Sequence, residues 1–83
     1  MDRIRVLLAE DHEIVRAGIR MLLDAQPDID VVAEASNGRS AVEDSLRLKP
    51  HVVILDISMP EMNGLAAAKA IKATAPQVQV LAR

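Results

Sequence analysis

Apolar and polar residues follow one another along this chain in blocks of two lengths. Ile4–Ala9, Ile29–Ala35, Val52–Leu55 and residues 78 to about 82 are short aliphatic and β-branched runs of strand length. Between them lie longer segments with helical spacing. Over residues 13 to about 25, Val15, Gly18, Ile19, Leu22 and Leu23 share a face, with Arg16, Arg20 and Asp24 elsewhere, and Pro27 ends the segment. Residues 40–48 repeat the pattern through Ala41, Val42, Ser45 and Leu46, and Ser40 with Glu43 has capping-box spacing. Ser36-Asn37-Gly38 therefore reads as a strand-to-helix turn, although Asn-Gly is often a hairpin signal. After the third strand, residues 65–74 predict an Ala-rich helix, and Pro76 precedes the last strand.

The resulting order, βαβαβαβ, predicts a parallel sheet with helices on both faces and right-handed crossovers. Val52–Leu55, apolar at every position, has the character of a strand covered on both sides. Ligands of such sheets collect outside the carboxyl ends of the strands, where strand order reverses. Glu10 and Asp11 follow the first strand and Asp56 follows the third, so all three acids lie at that edge. If those two strands are neighbours, the three carboxylates converge.

Composition narrows the function further. Eighty-three residues suffice for one small domain, and 51% hydrophobic with 27% charged residues describes neither a disordered chain nor a membrane span. Its apolar runs fall far short of the roughly 20 residues that cross a bilayer, and without a basic stretch leading into an apolar one no signal peptide is expected. The absence of cysteine excludes disulfides and thiol chemistry and fits a cytoplasmic protein. A net charge of −2 offers no basic surface for nucleic acid, and the lack of Phe, Tyr and Trp removes stacking platforms.

Carboxylates about 4 Å apart repel by roughly 4 kcal/mol at an effective dielectric of 20. A trio must either hold protons or recruit a cation. Oxygen ligands favour Mg²⁺ (or Mn²⁺), and an aspartate beside such an ion is a competent nucleophile toward phosphorus. Met59-Pro60 and Asn63-Gly64 supply a turn in which Gly64 lets backbone approach closely. Taken singly, each acid has a plainer reading; Asp11 could cap the helix that starts near Glu13.

The segments "LLAEDHEIVRAGI", "EASNGRSAVE" and "ILDISMPEMNGL" together resemble the receiver domain of two-component response regulators, in the NarL/LuxR-like branch. The resemblance extends over essentially the whole chain, so residues 1–83 are expected to be the N-terminal part of one receiver domain. It implies a flavodoxin-like doubly wound α/β sheet with strand order 2-1-3-4. It implies that Asp56 is the phosphoacceptor, that Asp11 ligates Mg²⁺ directly and Glu10 mainly through water, and that the Ser58 backbone carbonyl is a further ligand. The implied donor is a sensor histidine kinase, or a small molecule such as acetyl phosphate. The domain would catalyse its own phosphorylation and slow hydrolysis without being a turnover enzyme. DNA would be reached only through an output domain outside this sequence.

The sequence departs from the full pattern in ending within strand four. The family's switch Ser/Thr, its fifth-strand Lys, and the last strand and two helices are missing. Arg83 is unusual for a buried strand position. An open fourth-strand edge and an uncovered apolar face predict marginal stability, or a homodimer or other association through them. The rival function is a passive interaction or dimerisation module that has lost switching. A dehalogenase-like phosphatase would need an Asp where Ser58 stands, and no glycine-rich phosphate loop supports a nucleotide or flavin carrier. His12 is expected at the exposed start of the first helix, and His51 at the opposite sheet edge. Arg16, Arg20, Lys69 and Lys72 are expected on solvated faces. Met59 and Met62 are expected to pack the turn, Met21 to touch core or a docking surface, and Ser58 to influence hydrolysis.

Overall fold

The computed structural model describes residues 3–59 and 62–83. Pro60 and Glu61 of the expected turn lie outside them. The elements run β1 (Ile4–Ala9), α1 (Glu13–Asp24), β2 (Ile29–Ala35), α2 (Gly38–Leu48), β3 (Val52–Leu55), α3 (Gly64–Thr74) and β4 (Gln79–Ala82). All strand pairs are parallel, in the order β2-β1-β3-β4. This is the doubly wound arrangement that the alternating pattern and the family resemblance predict.

Side-chain alternation divides the sheet into two unlike faces. Leu7, Ala9, Val53 and Leu55 point into the main core, where Ala41, Ala67, Ile71, Ala75 and Val78 meet them beneath α2 and α3. Small residues on both helices let them sit close to the sheet and to each other. On the other face α1 packs against β2 and β1 and covers Val6 and Leu8, which are fully buried. It extends no further across the sheet. Val52 and Ile54 are consequently half-buried, and β3 is less enclosed than its unbroken apolar run implies.

No residue of α1 is fully buried. Met21 and Leu22 remain 74% and 72% exposed, so Met21 is not a core residue and the expected apolar face is only partly used. Arg16 and Arg20, expected to be solvated, instead tie this helix to β2. Arg16 Nε and Arg20 Nη1 donate to the two Glu34 carboxylate oxygens at 3.2 and 2.8 Å. Lys72 also departs from the solvated reading: its Nζ donates to the Pro76 and Val78 carbonyls, both at 2.8 Å, and fastens the α3–β4 connection. His51 sits at the amino edge as expected, accepting from Arg5 N at 2.9 Å.

The start of α2 corrects the capping-box reading. Asn37 is the N-cap, its side chain accepting from Ser40 N at 2.8 Å, and the helix begins at Gly38. Ser40 is thus the capped residue rather than the cap. The Asn37→Ala protein is expected to lose about 1 kcal/mol, a fall in melting temperature of roughly 4–8 °C. Glu43→Ala should leave it nearly unchanged. Circular dichroism melts of the two variants check both values.

Candidate functional site

The sheet ladder itself brings the acids together. Ala9 and Leu55 are paired at the carboxyl ends of β1 and β3, and the next residue of each strand is Glu10 or Asp56. Glu10 N donates to Ala35 O and Asp56 N to Ala9 O, each at 3.0 Å, so both backbones are fixed one step beyond the last strand residues. Adjacent strands lie about 4.8 Å apart, which places the two carboxyl groups side by side. Asp11 follows in the turn to α1. Ligand atoms of Glu10, Asp11, His12 and Asp56 all fall within 4.8 Å of one another.

Each acid has a different environment. Glu10 is only 2% exposed, a carboxylate set in the top of the core. Its Oε2 accepts from the His12 backbone N–H at 3.1 Å and lies 3.1 Å from His12 Nδ1, while Oε1 is paired with Arg83 Nη1. Burial pushes its pKa up, but the His12 N–H, the Asp56 carboxyl, the His12 ring and the Arg83 guanidinium outweigh burial and hold it below the usual range. Asp11 does not cap α1; the N-cap is His12, which makes no side-chain cap bond. Asp11 Oδ1 is buried and receives no hydrogen bond, although His12 Nδ1 stands 3.2 Å away. Asp56 Oδ1 accepts from Ser58 N at 3.0 Å, and its Oδ2 lies 4.0 Å from His12 Nδ1.

The orphaned Asp11 oxygen and the crowding of three carboxylates fit a hard divalent cation. Glu10, Asp11 and Asp56 can each offer it an oxygen. His12, expected only as an exposed helix start, is indeed exposed but adds an imidazole nitrogen to the group. The hydrogen bond to Glu10, then the charge on Asp11, raises its pKa above the ordinary value.

The start of α3 is tied back to the chain that follows β3. Gly64 N donates to Ile57 O at 3.1 Å, and Asn63 caps α3 by accepting from Ala66 N at 2.9 Å. Met59 is buried in the core and Met62 packs against it, as expected for residues that fill the turn. Sequence reasoning missed the pairing of Arg83 with Glu10. Only a register that places the end of β4 beside the end of β3 would have disclosed it.

Comparison with known proteins gives the same picture. The response regulator receiver domain family matches residues 6–83. A protein-glutamate methylesterase/protein-glutamine glutaminase of Methanococcoides burtonii is 45% identical over 73 residues, covering 88% of this chain but 21% of that protein. The response regulator protein VraR of Staphylococcus saprophyticus is 41% identical over 78 residues, covering 94% of this chain and 37% of that protein. Among solved structures, the receiver domain of the NarL regulator from Mycobacterium tuberculosis superposes with a TM-score of 0.94 at 32% identity. That match covers 99% of this chain and 66% of the other. The chain thus spans well under half the length of both named curated relatives.

Proposed function

Because the chain belongs to the response regulator receiver domain family, we propose that it is a phosphoacceptor that takes a phosphoryl group onto Asp56. The observation that carries this reading is the cluster at the strand ends, with a buried Asp11 oxygen that lacks a hydrogen bond beside the Asp56 carboxylate. A divalent cation held by Glu10, Asp11, Asp56 and the Ser58 carbonyl would supply neutralising charge to the transferring group. The chain's own residues do the remaining work. Ser58 N–H holds Asp56 Oδ1 and so fixes the orientation of the carboxylate. An Asp56 oxygen attacks phosphorus in line, the new O–P bond forming as the donor bond breaks. The leaving group departs with the bonding pair, as acetate from acetyl phosphate or as imidazole from a kinase phosphohistidine.

In this reading the donor in the cell is a sensor histidine kinase and the protein works in the cytoplasm. No helix among the described residues is long and apolar enough to cross a membrane. Phosphorylation would control a separate output domain, and the likeness to RcsB of Salmonella enterica, a structure of which is bound to promoter DNA, favours one that regulates transcription by binding DNA. The domain itself would not turn over substrate beyond its own phosphorylation and hydrolysis. Incubation with acetyl phosphate and Mg²⁺, followed by intact-mass spectrometry, should add the mass of one phosphoryl group; chelation with EDTA should prevent it. No gain at saturating donor would instead favour a passive interaction module.

Self-association belongs to the same reading. Met21, Leu22 and Leu81 leave apolar surface open on the α1 side, and β4 is an edge strand of the described sheet. Sedimentation velocity at micromolar concentration should show association of copies that Leu22→Glu weakens. A stably folded monomer in the parent protein would contradict it.

A further inference from the structure

We propose that Arg83 is the internal counter-cation of this site, holding Glu10 in the metal-free protein in competition with the divalent ion. The inference rests on the metal-assisted reading above. Its basis is the row of residues that leaves the sheet. Arg83 N donates to Leu55 O at 2.8 Å, and Ile57 N donates to Arg83 O at 3.0 Å, so the backbone of Arg83 is fixed against β3 level with Asp56. Asp56 stands in turn beside Glu10. From β4 the guanidinium spans the strand that carries Asp56 and reaches Glu10 Oε1 on the far side.

Electrostatics give that reach a purpose. Glu10 is almost completely buried, and a buried carboxylate requires a charged or hydrogen-bonded partner. Its two oxygens are divided: His12 serves Oε2 and Arg83 serves Oε1. Arg16 also approaches, but it donates to the Glu10 backbone carbonyl at 2.8 Å and is ion-paired with Glu34. Arg83 thus commits a permanent charge to the Glu10 side chain. A divalent ion that draws on Glu10, directly or through water, must share or displace that guanidinium. Metal loading would then be felt at the end of β4, an edge strand of the described sheet.

Mn²⁺ binding to the parent, Arg83→Gln and Arg83→Lys proteins, followed by electron paramagnetic resonance, tests the competition. Arg83→Gln should bind the ion about fivefold tighter or more, the scale of an ordinary coupling between two sites. Arg83→Lys, which keeps the charge but loses the fork, should fall between the two. In the parent protein, Mg²⁺ should shift the Arg83 Nε–H resonance with the same midpoint as metal binding. That resonance reports even if the Gln variant does not fold. Equal or weaker binding in Arg83→Gln, or an Arg83 resonance indifferent to Mg²⁺, overturns the competition and leaves the phosphoacceptor reading intact. Absence of ion binding in every variant overturns both.

Discussion

Asp56→Asn should reduce phosphoryl incorporation from acetyl phosphate and Mg²⁺ by at least about a thousandfold, the scale on which loss of a nucleophile is felt. Asparagine has nearly the same shape, and its amide oxygen can still accept from Ser58 N, which now holds Asp56 Oδ1 at 3.0 Å. The turn after β3 should therefore be retained. What disappears is the anionic oxygen that attacks phosphorus. One negative charge also leaves a cluster in which Glu10, Asp11 and Asp56 crowd within 4.8 Å, so the metal-free variant should melt no lower than the parent. Unchanged folding together with lost uptake, from circular dichroism and intact mass on the same preparation, separates a nucleophile from a structural acid. Continued uptake by Asp56→Asn would place the acceptor elsewhere.

Gly64→Ala is expected to do severe harm to the fold beside Asp56. A Cβ at this position would stand 2.4 Å from Ile57 Cα, 2.5 Å from Asp56 O and 2.9 Å from Asp56 C. All three are backbone atoms, so no side-chain rotation relieves the clash. Either α3 withdraws and the Gly64 N to Ile57 O bond at 3.1 Å is lost, or the chain carrying Asp56 moves. Overpacking of this kind, with a lost hydrogen bond, should cost about 3 kcal/mol. The melting temperature would fall by roughly 12–24 °C for a domain of this size. Gly18→Ala is the internal control. Nothing lies within 4 Å of its added Cβ, and in the middle of α1 alanine should gain about 0.5–1 kcal/mol. Calorimetry of the pair distinguishes a glycine required by close backbone approach from one that is merely tolerated.

The legible parts of this protein are those encoded within a few residues. β1, β2 and β3 begin and end where their aliphatic runs do, because polar and turn residues bound each run. The convergence of Glu10, Asp11 and Asp56 was also legible, since it follows from strand ends and one assumption about neighbours that the sheet order satisfies. Interactions among residues distant in sequence were not. Arg83 and Glu10 are 73 positions apart, and Arg16 meets Glu34 across a crossover. Their pairing depends on register rather than on periodicity. The helical spacing of α1 placed Ile19 and Leu23 inward correctly, but Val15, Gly18 and Leu22 are exposed, and Arg16 and Arg20 share the half-buried side. At α2 the spacing placed the cap at Ser40, whereas Asn37, read only as part of the turn, is the cap because its side chain accepts from Ser40 N three residues on.

The central claim is that the acid cluster exists to make Asp56 an acceptor, and the location of the phosphoryl group tests it most directly. Protein phosphorylated with acetyl phosphate and Mg²⁺ can be reduced with borohydride, which converts an aspartyl phosphate to homoserine, and then digested and sequenced by tandem mass spectrometry. The account predicts homoserine at position 56 and unmodified Glu10 and Asp11. Phosphate found on His12, or homoserine at position 11 with Asp56 intact, would contradict it.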